Sequence, residues 1–101
     1  MPFTPIERPF SWRHLTGTTQ VDSKPGILHT ITINRPDAQA DSIITVYDGI
    51  GITTDIIAII TVDAALFVIP TTLTYDVGYE TGLYITFSDG ITTADITVSY
   101  K

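Results

Sequence analysis

Apart from its hydroxyl side chains, the chain carries few groups that could act as base, nucleophile or ligand: two histidines, nine aspartates, two glutamates and no cysteine. His29 alternates with Ile31 and Ile33, where a hydrogen-bonded core or interface histidine is expected rather than a general base. Glycoside hydrolysis needs two opposed carboxyls, one with a raised pKa, and Asp76 and Glu80, set around a 77–82 turn, read instead as solvated loop acids. Asp48, Asp55, Asp89 and Asp95 recur in two similar stretches, 48–56 and 89–96, that read as Asp-Gly hairpins, but neither has the ligand spacing that wraps a calcium ion. Without thiols there is no disulfide framework and no Cys-based zinc site. No nucleophile elbow, phosphate-binding loop, zincin pair or dinucleotide-binding glycine pattern occurs. The expectation is a protein that is not an enzyme and uses neither metal nor cofactor. One binding chemistry stays open: Tyr75, Tyr79 and Tyr84, close in sequence to Asp76 and Glu80, could stack on a sugar and hydrogen-bond its hydroxyls.

The elements that would position these groups are strands. Of 101 residues, 16 are Ile, 18 Thr and 6 Val, so β-branched side chains dominate, and these fit the pleated sheet better than the helix. A chain of this length makes one domain. Its longest apolar runs, 56–60 and 64–69, are far shorter than the roughly 20 residues of a membrane-spanning helix. The net charge of −6 and the absence of basic runs argue against nucleic acid as a partner. The N-terminus lacks a basic stretch followed by an apolar one, so no secretory signal is expected.

From residue 11 onward the hydrophobic period is two. Residues 11–22 read as a first strand broken near Gly17, and 24–26 as a turn. Residues 27–34 place Ile27, His29, Ile31 and Ile33 on one face. Residues 43–48 form the next strand, and 55–62, apolar on both faces, reads as a central strand covered on both sides. Later strands put Leu73, Tyr75 and Val77, then Leu83, Ile85 and Phe87, then Ala94, Ile96, Val98 and Tyr100 inward. Seven to eight short strands without a helical period predict an all-β fold, an antiparallel β-sandwich of Ig-like or jelly-roll type, over residues 13–101.

Residues 1–12 differ. Pro2, Pro5 and Pro9 recur with Phe3, Ile6, Phe10 and Trp12 between them, which predicts an extended arm rather than a helix or inner strand. Residues 1–35 carry four cations against two acids, whereas 36–101 carry one against nine. Such a chain can dock through its start and turn its acidic part to solvent. High apolar content beside few charges further points to surface that meets another subunit.

At residues 24–34, Lys-Pro-Gly-Ile-Leu-His-Thr-Ile-Thr-Ile-Asn, the chain resembles the P-G-[VI]-L-H-x-I-x-I-N motif of a group of small tailed-bacteriophage virion proteins. Residues 44–49 resemble that group's I-T-[IV]-Y-D-[GN] strand and turn, 73–77 its L-x-Y-D-V strand, 81–83 its T-G-L turn and 94–100 its A-D-[IV]-T-V-x-Y strand. The likeness covers about residues 16–100 and leaves out the arm. It implies a virion structural role more firmly than a place in the particle; a compact sandwich with an apolar N-terminal arm and few charges fits a decoration or cement protein on the outer capsid surface, made in the host cytoplasm. The expected partners are the major capsid protein and further copies of the chain, a trimer suiting threefold sites, with no membrane involved. Phe3, Ile6, Phe10 and Trp12 are the candidate anchors, with Arg8 and Arg13 pairing to capsid acids. The alternative is a tail, baseplate or fibre-associated module that binds host-surface carbohydrate.

Overall fold

In a computed structural model, residues 10–35, 42–62, 70–88 and 94–101 are described. They form eight strands and no helix: β1 (Ser11–Leu15), β2 (Thr19–Asp22), β3 (Gly26–Arg35), β4 (Ser42–Asp48), β5 (Ile56–Val62), β6 (Thr71–Tyr79), β7 (Leu83–Ser88) and β8 (Asp95–Tyr100). All pairings are antiparallel and build two four-stranded sheets, sheet A in the order β1-β8-β3-β6 and sheet B in the order β2-β7-β4-β5. β1 pairs with β8, β2 with β7, β3 with β6 and β4 with β5, the pattern of one long hairpin rolled up so that successive pairs alternate between sheets. This is a jelly roll, and it decides against the Ig-like alternative, in which consecutive strands mostly pair.

Only β4 and β5 are consecutive in sequence and paired. Every other connection between described strands crosses from one sheet to the other, so β7 and β8 do not pair; the expected Asp-Gly hairpin at 89–90 lies outside the described residues. The break near Gly17 is one such crossing, where the chain leaves sheet A after β1 and enters sheet B at β2.

The core between the sheets comes from alternate residues. Leu28, Ile31 and Ile33 on β3, Ile44 and Val46 on β4, Leu83 and Ile85 on β7, and Ile96 and Val98 on β8 are fully buried. Each contributes about 1.5–3 kcal/mol of transfer free energy. The inward assignments on β7 and β8 hold, with Phe87 and Tyr100 half-buried against the core. On β6, Leu73 and Tyr75 also pack on the core, whereas Val77 is exposed.

On β3 the expected face is wrong by one residue at its start. The register shifts between Leu28 and Thr30 against both neighbours, so Leu28 joins Ile31 and Ile33 in the core while Ile27 is exposed and His29 half-buried. A bulge inserts a residue and reverses the facing of everything before it. Opposite it on β6, Asp76 has φ 50°, the left-handed region that Asp tolerates better than most residues.

β5 is also not central. It is the outer strand of sheet B, and Ile56 and Ile59 point to solvent. A strand apolar on both faces is matched to cover on both; the described residues supply it on one.

Candidate functional site

The outer face of sheet A is polar. Across its strands run the row Trp12, Ser99, Thr30, Thr74 and the row His14, Thr97, Thr32, Thr72. His14 Nε2 lies 2.8 Å from Asp95 Oδ1, and Asn34 Nδ2 donates to Asp95 Oδ1 at 2.9 Å and to Thr97 Oγ1 at 3.0 Å. Burial pushes the Asp95 carboxyl up, but the bonds from Asn34 and His14 and the nearby Arg35 charge outweigh it and hold the group below its ordinary value. A second pair joins His29 Nδ1 to Asp76 Oδ1 at the β3–β6 bulge. Phe10 stacks flat on His29, ring centroids 4.1 Å apart, with Lys101 Nζ 5.5 Å from the Phe10 centroid.

Of the expected anchors, Phe3, Ile6 and Arg8 lie outside the described residues. Phe10 is half-buried on its own domain through His29, while Trp12, 70% exposed, and Arg13 stand on β1 facing solvent. Trp12, which the sequence assigns both to the end of the arm and to a first strand over 11–22, lies on the sheet-A edge strand.

The tyrosine cluster does not assemble. Tyr79 is buried, its hydroxyl donating to Asp22 Oδ2 at 2.7 Å; burial, that bond and the Asp22 charge push its phenol up. Tyr75 packs on the core, where burial raises its pKa, and Tyr84 sits on the outer face of sheet B beside Tyr47, ring centroids 6.2 Å apart. Because β6 and β7 lie in different sheets, Tyr84 is parted from Tyr75 and Tyr79, which turn to the core instead of presenting rings to a ligand.

Two polar nodes escaped the sequence reading. Asp48 accepts from the Glu80 and Thr81 amides at 2.8 and 2.9 Å and from Gly82 at 3.4 Å. The Glu80 bond, with those of Thr81 and Gly82, overcomes desolvation and lowers its pKa. Gln20 Nε2 donates to the carbonyls of Asp22, Gly49 and Leu83 at 2.9, 2.9 and 3.2 Å, while its Oε1 accepts from the Gly51 amide at 2.8 Å. Both nodes bind backbone, so they fasten connections between strands rather than offer ligands. An open groove beside them is lined by Asp48, Thr54, Asp55, Ile56, Ile57 and Glu80. Among the described residues no three His, Asp or Glu side chains converge as metal ligands would.

The outer face of sheet B has a different chemistry. Its rows are Thr61, Ile43, Ser88, then Ile59, Thr45, Thr86, then Ile56, Tyr47, Tyr84, without a charge among them. Of the eight exposed large hydrophobic residues among those described, five (Ile43, Ile50, Ile52, Ile56 and Ile59) belong to the β4–β5 hairpin and its loop. The concentration of apolar surface at one end of one sheet makes this hairpin the strongest docking candidate among the described residues.

No protein family matches the chain, nor does any curated protein or any solved structure.

Proposed function

We propose that this protein is a virion structural protein, a decoration or cement protein that adds buried surface between major capsid subunits on the outer face of a bacteriophage head. The observation that carries the docking role is the uncharged apolar face of the β4–β5 hairpin, with Ile59 62% exposed on it. Exposed apolar surface concentrated in one patch marks a site where another protein docks, and about 500 Å² of apolar burial contributes about 12 kcal/mol before association costs.

The phage context is supported by the motif resemblance. Its segments lie on β3, β4, β6, β7 and β8, and two of them meet: Asp48 caps the 81–83 turn, and the Gly49 amide donates to the Gly82 carbonyl at 3.0 Å. The resemblance therefore rests on residues that lock the jelly roll rather than on a reaction centre. Jelly rolls serve as capsid and lectin domains, so the fold is compatible with this role without assigning it.

The test is quantitative mass spectrometry of purified particles of the encoding phage. A copy number near that of the major capsid subunit, or a simple fraction of it, is expected. A handful of copies would move the protein to the tail, where the Trp12 face of sheet A, with Asn34, Asp95 and threonines around it, becomes the surface to probe with glycans. Absence from particles would overturn the virion reading altogether.

A further inference from the structure

Three of the four sheet edges are blunted against pairing with another strand, and one is not. β1 has five residues and carries Arg13 and His14; β2 has four, ends in Asp22 and shifts register; β6 is bulged at Asp76 and paired there to His29. Shortness, charge and bulges are the devices that keep edges from adding strands. β5, with seven residues reading Ile-Ile-Ala-Ile-Ile-Thr-Val, has no charge, proline or glycine, and its one irregularity lies at its start, opposite Val46 and Tyr47. Every second residue of an outer strand directs its N–H and C=O away from the sheet, and here nothing among the described residues covers them.

We infer that β5 is a self-association edge: two copies of this chain pair their β5 strands antiparallel about a twofold axis and join two B sheets into one of eight strands. The inference rests on the proposed docking role of the same hairpin and names its occupant. A second copy fits for three reasons. Antiparallel pairing of a strand with itself is self-complementary, as an isologous contact requires. The side chains brought to the seam are neutral: Ile59 and Thr61 on the outer face, Ala58, Ile60 and Val62 on the inner. Two chains of charge −6 thus meet along a segment without charges, with Asp55 and Asp63 at its two ends in the sequence. Finally, pairing makes β5 an inner strand, the environment its two apolar faces call for. The product is a dimer, in place of the expected trimer.

The test is sedimentation equilibrium of the full chain up to about 100 μM, where an interface of micromolar Kd is populated. Ile59→Lys and Thr61→Lys each change an exposed side chain on β5, so a second edge variant stands in should one perturb folding; Ile52→Lys, exposed in the 49–55 loop, is the control. A wild-type dimer that Ile59→Lys or Thr61→Lys weakens about tenfold or more, and Ile52→Lys leaves intact, is the expected result. A monomer throughout, a trimer, or a dimer indifferent to both edge variants would overturn the inference. A monomer that still fills particles would leave the virion reading standing. A β5-dependent dimer missing from particles would do the reverse.

Discussion

Replacing Gln20 by glutamate is expected to destabilise the fold far more than its half-buried position implies. The side chain bridges β2, the loop after β4 and the start of β7: its amide hydrogens are shared among three carbonyls within 3.2 Å, and its oxygen takes the Gly51 amide. Glutamate keeps the shape and the acceptor for Gly51 but loses both hydrogens and turns a negative oxygen toward the carbonyls of Asp22, Gly49 and Leu83. Two lost bonds at about 1 kcal/mol each, plus about 1 kcal/mol for an anion facing three acceptors, give about 3 kcal/mol. For a domain of this size, that lowers Tm by roughly 10–20 °C.

The assay is thermal melting followed by far-UV circular dichroism, because Trp12, being exposed, reports poorly on the core. A glutamate carboxyl facing carbonyls has a folded pKa above its unfolded value near 4.3, so its penalty is full at pH 7 and fades as pH falls through the folded pKa, where the acid regains a hydrogen to donate. The gap between Gln20→Glu and wild type therefore narrows toward pH 4. A drop of under about 3 °C at pH 7, or a gap that does not narrow on acidification, would refute the account of Gln20 as a donor node.

Two further predictions concern a close-packed glycine and two capped carboxylates. Gly82→Ala is expected to cost about 1–3 kcal/mol in urea unfolding, because a Cβ there would sit 2.8 Å from the Asp22 carbonyl oxygen and 2.9 Å from that of Gly49, whereas Gly17→Ala, with nothing within 4 Å, is near neutral. Asp48 and Asp95 both have depressed folded pKa values, so their contribution is whole above the unfolded value near 4 and is lost as pH falls through the lower folded values. Wild-type Tm should stay level from pH 7 to about 5 and fall below about 4, and Asp48→Asn should lower the plateau by at most a few degrees while flattening part of that fall, as pH-dependent melting will show.

The parts of the fold legible in the sequence were those where alternation runs unbroken between turn signals, as on β7 and β8. β3 shows what defeats it: alternation assumes that no residue is inserted, and the bulge at Leu28 to Thr30 is set by pairing with strands more than 40 residues away. The misplacing of β5 has another cause. Two apolar faces mark a strand covered on both sides, but nothing in the residues says whether the cover belongs to the same chain. The nodes at Gln20 and Asp48 were invisible because their partners, the nearby Asp22 carbonyl aside, are backbone groups 29 to 63 residues distant, and backbone groups leave no mark on residue type. Asp-Gly at 48–49 signalled a turn; that the aspartate caps a different turn follows only from the β4–β7 pairing.

On the proposed cement role, the two sheets would divide the work. Sheet A faces outward with His–Asp hydrogen-bonded pairs, threonines and the Phe10–His29 stack, so the chain is tied to that sheet at Phe10, whereas the exposed apolar surface belongs to sheet B. Contacts made through the beginning of the chain and contacts made through β5 therefore lie on opposite sheets and do not compete. A dimer joined at β5 would carry two such N-terminal contacts at a fixed separation, and two weak attachments on a rigid body bind with an avidity that can exceed either alone by roughly 10²–10⁴. In that arrangement neither surface needs to be strong by itself. The near-absence of charge on sheet B and its concentration on sheet A then serve a single end, with neutrality where like chains must meet and polarity where solvent or a differently charged partner is faced.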